Sequence, residues 1–317
     1  MFDLISILHY GSITFIITLS SLASGIGGGL ASIAALQAIN IQPRAKGEIV
    51  RASIIGLALI ETAAILALII TFLVFTTKNI TLPIVIGQVG IAFAVGIPAL
   101  IVGIASSFPV KEACLSIARQ PFFSQRILNL MLITQSIIQT AIIFGFLIGM
   151  FIKLQFSSLE SLTHAFSLCA SGLAIGIGSI GPALGLARFA QQACKSASVN
   201  RKAYGQLLPF VFMSEAIIET PLIFAFLISL MIAITAGGPA ENMLTVVKVF
   251  AAAICIGIST LMPSLSSSKT ASSTCVQITY TPQQYSVLSQ TSLFGQGLID
   301  AAAIYALLIS FAILLLK

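Results

Sequence analysis

Eight long apolar stretches limit this chain to one class of fold. They cover residues of roughly 10–38, 49–76, 84–108, 127–152, 164–192, 206–235, 246–268 and 287–316. An α-helix needs about 20 mainly apolar residues to cross the hydrocarbon core of a bilayer. Only 8% of the residues are charged, whereas a soluble domain carries about a quarter. The sequence therefore predicts an all-α membrane protein with eight transmembrane helices, the seventh being the weakest because it fades into a serine run at 264–268.

The composition also argues against several kinds of partner and site. The net charge of +6 is thinly spread, without a basic block or an aromatic platform, so we expect no nucleic-acid partner. The five cysteines are odd in number and share no close spacing: Cys114, Cys169, Cys194, Cys255 and Cys275. His9 and His164 have no second ligand near them in sequence. We expect no disulfide framework, no metal site and no cofactor.

Basic residues alternate from one side of the predicted spans to the other. Eleven of the fifteen Lys and Arg lie in or near the turns after the first, third, fifth and seventh spans. Basic turns tend to stay on the cytoplasmic side of the membrane. We therefore expect these four turns to be cytoplasmic and both termini to lie outside. The N-terminus lacks the basic flank of a cleaved signal, which indicates that the first span is retained.

A repeat with a period near 80 residues organises the spans into four pairs. The second helix of each pair has a polar residue at its centre: Glu61, Gln139, Glu219 and Asp300, separated by 78, 80 and 81 residues. Pro43, Pro121 and Pro282 each precede that centre by 18 residues, and Arg201 takes this place in the third copy. We predict four tandem helical hairpins of one orientation, over residues 1–80, 81–157, 158–240 and 241–317.

Small residues and buried carboxyls distinguish the two helices of each hairpin. The first helices carry glycine runs at 25–29 and 176–185, which let helix backbones approach closely in lipid and favour a crowded ring of helices. Glu61, Glu219 and Asp300 share one repeat position inside the second helices. An acidic group at the bilayer centre costs about 2.5–3.5 kcal/mol on insertion scales, which makes it a functional candidate.

These carboxyls are suited to carrying protons. Burial penalises the charged form of a carboxyl, so the group can cross a lipid face as the neutral acid. No basic residue in the predicted spans lies at the same depth, so a positive partner would come from another polypeptide. A purely structural role, with each protonated carboxyl bonded to a backbone carbonyl, stays open.

Several of these features together resemble a known family. The glycine-rich first helix, the turn Ala118-Arg119-Gln120-Pro121 and the mid-helix Glu61-Thr62-Ala63 resemble the rotor c-subunit of F-type ATP synthases, four times over essentially the whole chain. The resemblance implies a homo-oligomeric ring with first helices inside and second helices outside. It also implies a stator a-subunit whose arginine meets the carboxyls, and a central stalk made of the gamma and epsilon subunits. The chain would have no catalytic site of its own and would lie in the bilayer of a bacterial inner (plasma) membrane.

Carried over residue by residue, the resemblance makes Glu61, Glu219 and Asp300 the proton-binding groups. Gln139 replaces the carboxyl in the second copy and cannot carry a proton, so we interpret it as a structural placeholder whose amide bonds across the helix pair. Three ions would then be carried for every four hairpins. Because vacuolar-type rotors also use fused hairpins, a V/A-type rotor that pumps ions is an alternative. A hairpin-repeat transporter or channel is a weaker one, since the spans show no basic or aromatic substrate site.

Other residues of the motif are candidates for supporting roles. Near the carboxyl position these are Glu215, Thr62, Thr220, Gln135 and Gln296. Glu215 precedes Glu219 by one helical turn, and either a hydrogen-bonding neighbour or a carboxyl pair sharing a proton fits that spacing. The turn residues that would contact the stalk are Arg44, Arg119, Gln120, Arg201 and Lys202.

The transported ion can be judged from the first helices. Sodium-binding rings of this family place a glutamine 15 residues before the turn proline. The corresponding residues here are Gly28, Ser106, Leu186 and Ser267. None is glutamine, so we expect protons rather than Na+. The number of chains in the ring does not follow from the sequence.

Overall fold

The computed structural model describes residues 2–237 and 243–315, with side chains from residue 4 onward. The described chain forms twelve α-helices joined by short turns. They are α1 (Phe2–Ile41), α2 (Lys46–Phe75), α3 (Leu82–Ala105), α4 (Ser107–Arg119), α5 (Ser124–Ile138), α6 (Thr140–Leu154), α7 (Leu162–Gly178), α8 (Ile180–Val199), α9 (Tyr204–Thr235), α10 (Met243–Ser259), α11 (Leu261–Tyr280) and α12 (Tyr285–Leu315). Single 3₁₀ turns precede α2, α5, α7, α9 and α12.

These helices combine into eight segments that are long and apolar enough to cross a membrane. The predicted all-α membrane fold with eight spans is therefore confirmed. The seventh segment differs from expectation because it does not end in its serine run but continues helically to Tyr280. Ser268 donates a hydrogen bond to the Leu265 carbonyl and Thr270 to the Ser266 carbonyl. Hydroxyls that bond back to the preceding turn need no partner outside the helix.

Prolines explain why three of the four first helices are interrupted. The helices α3, α7 and α10 end at Ala105, Gly178 and Ser259, and each last residue stands four positions before Pro109, Pro182 or Pro263. Proline has no N–H to donate to the carbonyl four residues back. The first helix of copy one has no proline and runs unbroken as α1. The Gly178 carbonyl instead accepts a hydrogen bond of 3.3 Å from the Thr260 hydroxyl of the next hairpin.

The four hairpins pack side by side in two layers. The first-helix layer consists of α1, α3–α4, α7–α8 and α10–α11, each in contact with the next in chain order. The second-helix layer consists of α2, α5–α6, α9 and α12. Each second helix packs on its own first helix, and α2, α5 and α9 also pack on the first helix of the following hairpin. The row therefore has two free edges, at the first and at the fourth hairpin.

Glycines set the spacing within the first-helix layer. A β-carbon on Gly172 of α7 would lie against the backbone of Gly90 on α3. A β-carbon on Gly181 of α8 would lie 2.5 Å from the Cα of Leu261 on α11. Helix backbones in lipid approach this closely only where side chains are absent. The small residues of the first helices are thus the places where the layer is held together.

Gly172→Ala should destabilise the hairpin row because its methyl group would push α7 away from Gly90. Overpacking of this kind costs about 1–3 kcal/mol. A lower midpoint of thermal unfolding of the detergent-purified protein would show this loss. Gly205→Ala is the matched control, since a β-carbon there meets no atom within 4 Å. Equal midpoints for the two variants would contradict the proposed role of Gly172.

Candidate functional site

Polar side chains in the second-helix layer bond to positions about one repeat away. Gln135 Nε2 donates to the Gly56 carbonyl at 3.0 Å, and Gln296 Nε2 donates to Ser214 Oγ at 3.3 Å. Because these residues are 79 and 82 positions apart, each bond joins a second helix to that of the preceding hairpin. We call the contact between two neighbouring second helices, together with the first helix packed behind it, a seam. Gln139 and Asp300 follow Gln135 and Gln296 by one helical turn, and Glu61 and Glu219 hold the same repeat position in the other two copies.

The seam between the first and second hairpins is closed by Gln139. Its Nε2 donates to the Leu59 carbonyl and to Ser106 Oγ, both at 2.9 Å. Its Oε1 accepts from Thr62 Oγ1 at 3.0 Å. Both N–H groups and the carbonyl oxygen of this buried amide are therefore used. Gln139 ties α2 to the second hairpin without any group that could release a proton.

The seam between the third and fourth hairpins contains Asp300. Its side chain is buried, and Oδ1 accepts a hydrogen bond of 3.1 Å from Ser267 on the first helix of the same hairpin. Oδ2 has no partner among the described residues. Ser267 holds the same repeat position as Ser106 of the second hairpin. Thr220 of the preceding hairpin donates to the Ala216 carbonyl at 2.9 Å.

The seam between the second and third hairpins has a carboxyl pair on one helix. Glu219 is half-buried, and Thr140 of the preceding hairpin, whose hydroxyl donates to the Ile137 carbonyl at 2.7 Å, holds the repeat position from which Thr62 bonds to Gln139. Glu215, one turn earlier, is fully buried, and neither of its carboxyl oxygens has a hydrogen-bond partner among the described residues. The first-helix position that is serine in copies two and four is Leu186 here. This seam therefore lacks the hydroxyl that Asp300 and Gln139 receive from their own hairpins.

Glu61 lies at the free edge of the row and is exposed. Its own first helix contributes Gly28, which has no side-chain hydroxyl. Among the described residues no hairpin packs against this edge, so in the predicted ring its seam would be completed by the fourth hairpin of a neighbouring chain. By the repeat register, Ala301 of that neighbour would stand where Thr62 stands beside Gln139. The Gln139 seam, which has no carboxyl, thus contains the hydroxyls of Thr62 and Ser106. The Glu61 seam has a hydroxyl at neither of these two positions.

Three hydroxyl residues at these seams are not among the predicted site residues. Ser106 and Ser267 enter the sequence argument only as positions where sodium-binding rings have glutamine, and Thr140 follows the glutamine of copy two. Aligning the four copies would have found all three. The alignment also shows that Cys114, Cys194 and Cys275 share a repeat position, although all are free, buried thiols. Within the described residues no group of His, Cys, Asp or Glu could hold a metal ion.

The predicted turn residues lie where the two helices of each hairpin are joined, on one side of the hairpin row. Arg44, Arg201 and Lys202 are exposed, and Gln120 is partly exposed. Arg119 forms an ion pair of 2.7 Å with Glu112 on the same helix. The Asn200 side chain donates to the Thr279 carbonyl at 2.9 Å, which joins the third turn to the end of the fourth first helix. The turns therefore expose basic side chains, and the third turn is bonded to the fourth hairpin.

Comparison with known proteins accounts for the repeat. A family model that describes the ATP synthase c-subunit matches the chain four times, at residues 12–74, 89–152, 169–232 and 250–313. The four matches together cover well over half of the chain.

Individual relatives align with one repeat length of this chain. It is 48% identical over 63 residues to the ATP synthase c-subunit of Protochlamydia amoebophila, covering 20% of this chain and 64% of that protein. It is 34% identical over 74 residues to the ATP synthase c-subunit of Prochlorococcus marinus, covering 23% of this chain and 91% of that protein. The second ATP synthase c-subunit of Cereibacter sphaeroides is 40% identical over 67 residues, or 21% of this chain and 81% of that protein.

A double-mutant cycle on Thr62→Val and Gln139→Leu should reveal the bond that closes the first seam. A buried hydrogen bond contributes about 1 kcal/mol net, so the two losses should fall short of additivity by about that amount. The measurement is the free energy of unfolding of the detergent-purified protein. The cycle on Gln125→Leu and Asn129→Ala, an exposed pair 2.9 Å apart on α5, is the control and should be nearly additive. Full additivity at Thr62 and Gln139 would show that the seam bond does not form.

Proposed function

Since the chain belongs to the family of ATP synthase c-subunits, we propose that it carries protons as the rotor component of a membrane ATP synthase. Membership in this family implies assembly into a ring within the synthase complex. The V/A-type alternative is not favoured, because the family model and the relatives described above all bear the name of the ATP synthase c-subunit. We propose in particular the ion, the residues that hold it and the partners that exchange it.

The recurrence of a carboxyl at one register in three seams is the observation that carries the proposal. Glu61, Glu219 and Asp300 lie 18 residues beyond their turns, or about 27 Å at 1.5 Å per residue. That distance is near the middle of spans of up to 38 residues. Ionising a carboxyl at this depth in lipid has a large free-energy cost, whereas the neutral acid can move through lipid at a much smaller one.

The seams differ in the hydrogen-bond donors that they provide to an ionised carboxyl. Ser267 donates to Asp300, and Thr140 of the preceding hairpin holds the repeat position from which Thr62 bonds to Gln139. These O–H groups would stabilise the carboxylate while it faces the arginine of the stator a-subunit, after the proton has left through one half-channel. A proton taken from the other half-channel would then restore the neutral acid for the passage through lipid. Gln139 would move past the stator a-subunit in the same way but would carry no proton.

The missing carboxyl changes the stoichiometry of the rotor. Three protons per chain would pass for every four hairpins, instead of four. A ring of a given number of hairpins would then use fewer protons per turn, so each ATP would need a larger driving force. One charge moved across 100 mV provides about 2.3 kcal/mol.

Glu215 is best assigned as a neutral hydrogen-bond donor to Glu219. The same repeat position is occupied by Gln135 and Gln296, both of which donate through their amides. Leu186 leaves this seam without the serine hydroxyl, and a protonated Glu215 would supply the missing donor. A neutral acid also suits a fully buried side chain that has no basic partner among the described residues around it.

The remaining partners follow from the same proposal. The turn residues Arg44, Arg119, Gln120, Arg201 and Lys202 would contact the gamma and epsilon subunits of the central stalk. The ring would lie in a bacterial inner membrane with these turns cytoplasmic and both termini outside. Protons are favoured over Na+ because no first helix offers a glutamine at the register of Ser106 and Ser267.

Labelling with dicyclohexylcarbodiimide, which attacks protonated carboxyls in apolar surroundings, tests the ion-carrying residues. We expect adducts at Glu61, Glu219 and Asp300, with no protection by Na+. The variant Gln139→Glu should add a fourth adduct, whereas Gln139→Asn should add none. Peptide mass spectrometry locates the adducts. Protection by Na+ would reverse the assignment of the ion, and absence of labelling at all three carboxyls would leave a structural role.

Two variants of Glu215 test its assignment as a donor. Glu215→Gln retains a donor and reproduces copies two and four, so Glu219 labelling should keep its pH dependence. Glu215→Leu reproduces Leu57 of copy one and removes the donor. Because a hydrogen bond to a charged group contributes about 1.5–3 kcal/mol, labelling of Glu219 should then persist to about 1–2 pH units higher. An equal change in both variants would mean that Glu215 itself binds the exchanging proton.

A further inference from the structure

A cavity of about 440 Å³ lies at the end of the hairpin row opposite the turns. It lies between the linker that joins the first two hairpins and the end of α6 with the segment that follows it. We call it the linker cavity. Its lining residues are Thr76, Thr77, Lys78, Asn79, Thr81, Ile84, Lys153, Phe156, Ser157 and Leu159. Two cations, four hydroxyls and one amide thus meet at a place that none of the proposed ion-carrying residues lines.

The two walls of the linker cavity are fixed to each other. Lys153 Nζ donates to the Thr77 hydroxyl and lies 4.9 Å from the centre of the Phe156 ring. A β-carbon on Gly87 of α3 would lie 2.9 Å from that ring, so Phe156 packs directly on the first helix of the second hairpin. Asn79 has a left-handed backbone with φ of 55°, which asparagine tolerates better than most residues. The cavity is therefore formed before any ligand enters.

The linker cavity is apolar at its base and polar at its opening. Its buried lining residues are Ile84, Phe156 and Leu159. Its exposed lining residues are Thr76, Lys78, Asn79, Thr81 and Ser157. A ligand that fits this arrangement presents a polar or charged group to the linker and a small apolar part to the base.

The cavity has hydrogen-bond donors but no anion to accept from them. None of its lining residues is acidic. Within the described ranges the ion pair that forms joins Arg119 to Glu112, so Lys78 and Lys153 have no carboxylate partner there. The backbone N–H groups of Lys78 and Asn79 also bond to no described residue. An ammonium group has three N–H donors, of which Lys153 uses one within the protein. An anion with several oxygens would satisfy these donors together.

The cavity lies at the depth of lipid headgroups. Lys153 is 32 residues beyond Pro121, or about 48 Å of helix. The span Pro121–Ser158 has 38 residues and is about 57 Å long, so a hydrocarbon core of about 30 Å centred on it ends about 43 Å from the turn. The Lys153 side chain therefore starts about 5 Å outside the core, where water and phosphate groups are both present.

We propose that the linker cavity binds a phosphate group, held by the ammonium groups of Lys78 and Lys153 and by the free N–H groups of the linker. Phosphate fits these donors because it offers several strong acceptor oxygens and a negative charge. The group belongs either to a lipid headgroup or to a water-soluble phosphate ester, and both bring the same chemistry. The other three copies have Phe75, Ala233 and Leu314 at the position of Lys153, so each chain has one such site.

Native mass spectrometry of the detergent-purified full chain tests the site, with dihexanoyl-phosphatidylglycerol as the probe. We expect one tightly bound molecule per chain. Each basic residue near an anionic headgroup strengthens binding about fivefold, so Lys78→Gln with Lys153→Gln should raise the Kd about 30-fold. Lys78→Gln alone leaves the contact between Lys153 and Thr77 intact and should raise the Kd about fivefold.

Glycerol 1-phosphate, added as a competitor, identifies the source of the phosphate. Displacement of the lipid would support a site that accepts soluble esters, whereas retention of the lipid would support a site for headgroups alone. The binding of the probe and its dependence on the two lysines are expected in either case.

Two control pairs separate the site from charge and from folding. Lys78→Arg with Lys153→Arg preserves the charge and should bind the probe like the wild type. Lys46→Gln with Arg51→Gln removes the same charge from exposed residues of α2 near the opposite end and should leave the Kd unchanged. An unchanged Kd in the glutamine pair of the cavity would overturn the proposal. Equal losses in the two glutamine pairs would overturn it as well, because they would indicate general attraction between charges.

Discussion

A polar group inside a lipid-embedded helix has no water to bond with, so its partner must come from the protein. In this chain most hydroxyls bond back to their own helix, whereas central amides bond to the neighbouring hairpin at the same register. Gln139 bonds to Thr62 and Leu59, and Thr260 bonds to the Gly178 carbonyl that Pro182 leaves free. The repeat is therefore more than a record of duplication, because each copy satisfies polar groups of the next. The seams follow from that dependence, whereas the spacing of the first-helix layer follows from its glycines.

Fusion of four hairpins allows the seams to differ, and the structure shows how far they have diverged. The first seam has two hydroxyls and an amide, the third a carboxyl with one serine, and the second two carboxyls on one helix. A ring of identical hairpins would have one kind of seam. Here only the seam of Glu61 depends on a neighbouring chain, so assembly of the ring would complete an ion site that a single chain leaves open.

The sequence predicted the helices, their pairing and the register of Glu61, Gln139, Glu219 and Asp300, because hydropathy and repeat spacing depend directly on residue identity. It did not reveal which hydroxyl faces which carboxyl. Thr62 and Thr220 follow equivalent carboxyls, and both hydroxyls bond back to their own helix, but Thr62 Oγ1 also lies 3.0 Å from Gln139 Oε1 of the next hairpin. This difference is consistent with side-chain length across the seam, since Gln139 reaches further than Asp300.

The unpredicted features have separate physical causes. The helix breaks at Ser106, Ser179 and Thr260 depend on prolines three residues later, and a hydropathy pattern averages over them. The continuation of the seventh span through its serines depends on hydroxyls bonding back to the helix, which hydropathy scores as polar.

Three of the four equivalent seams should bind a proton, and counting those protons tests the proposed rotor most directly. A potentiometric titration of the purified ring, before and after reaction with carbodiimide, would count the protons that the reagent removes per chain. We predict three. A count of four, or no difference between the two titrations, would contradict the assignment of the seams.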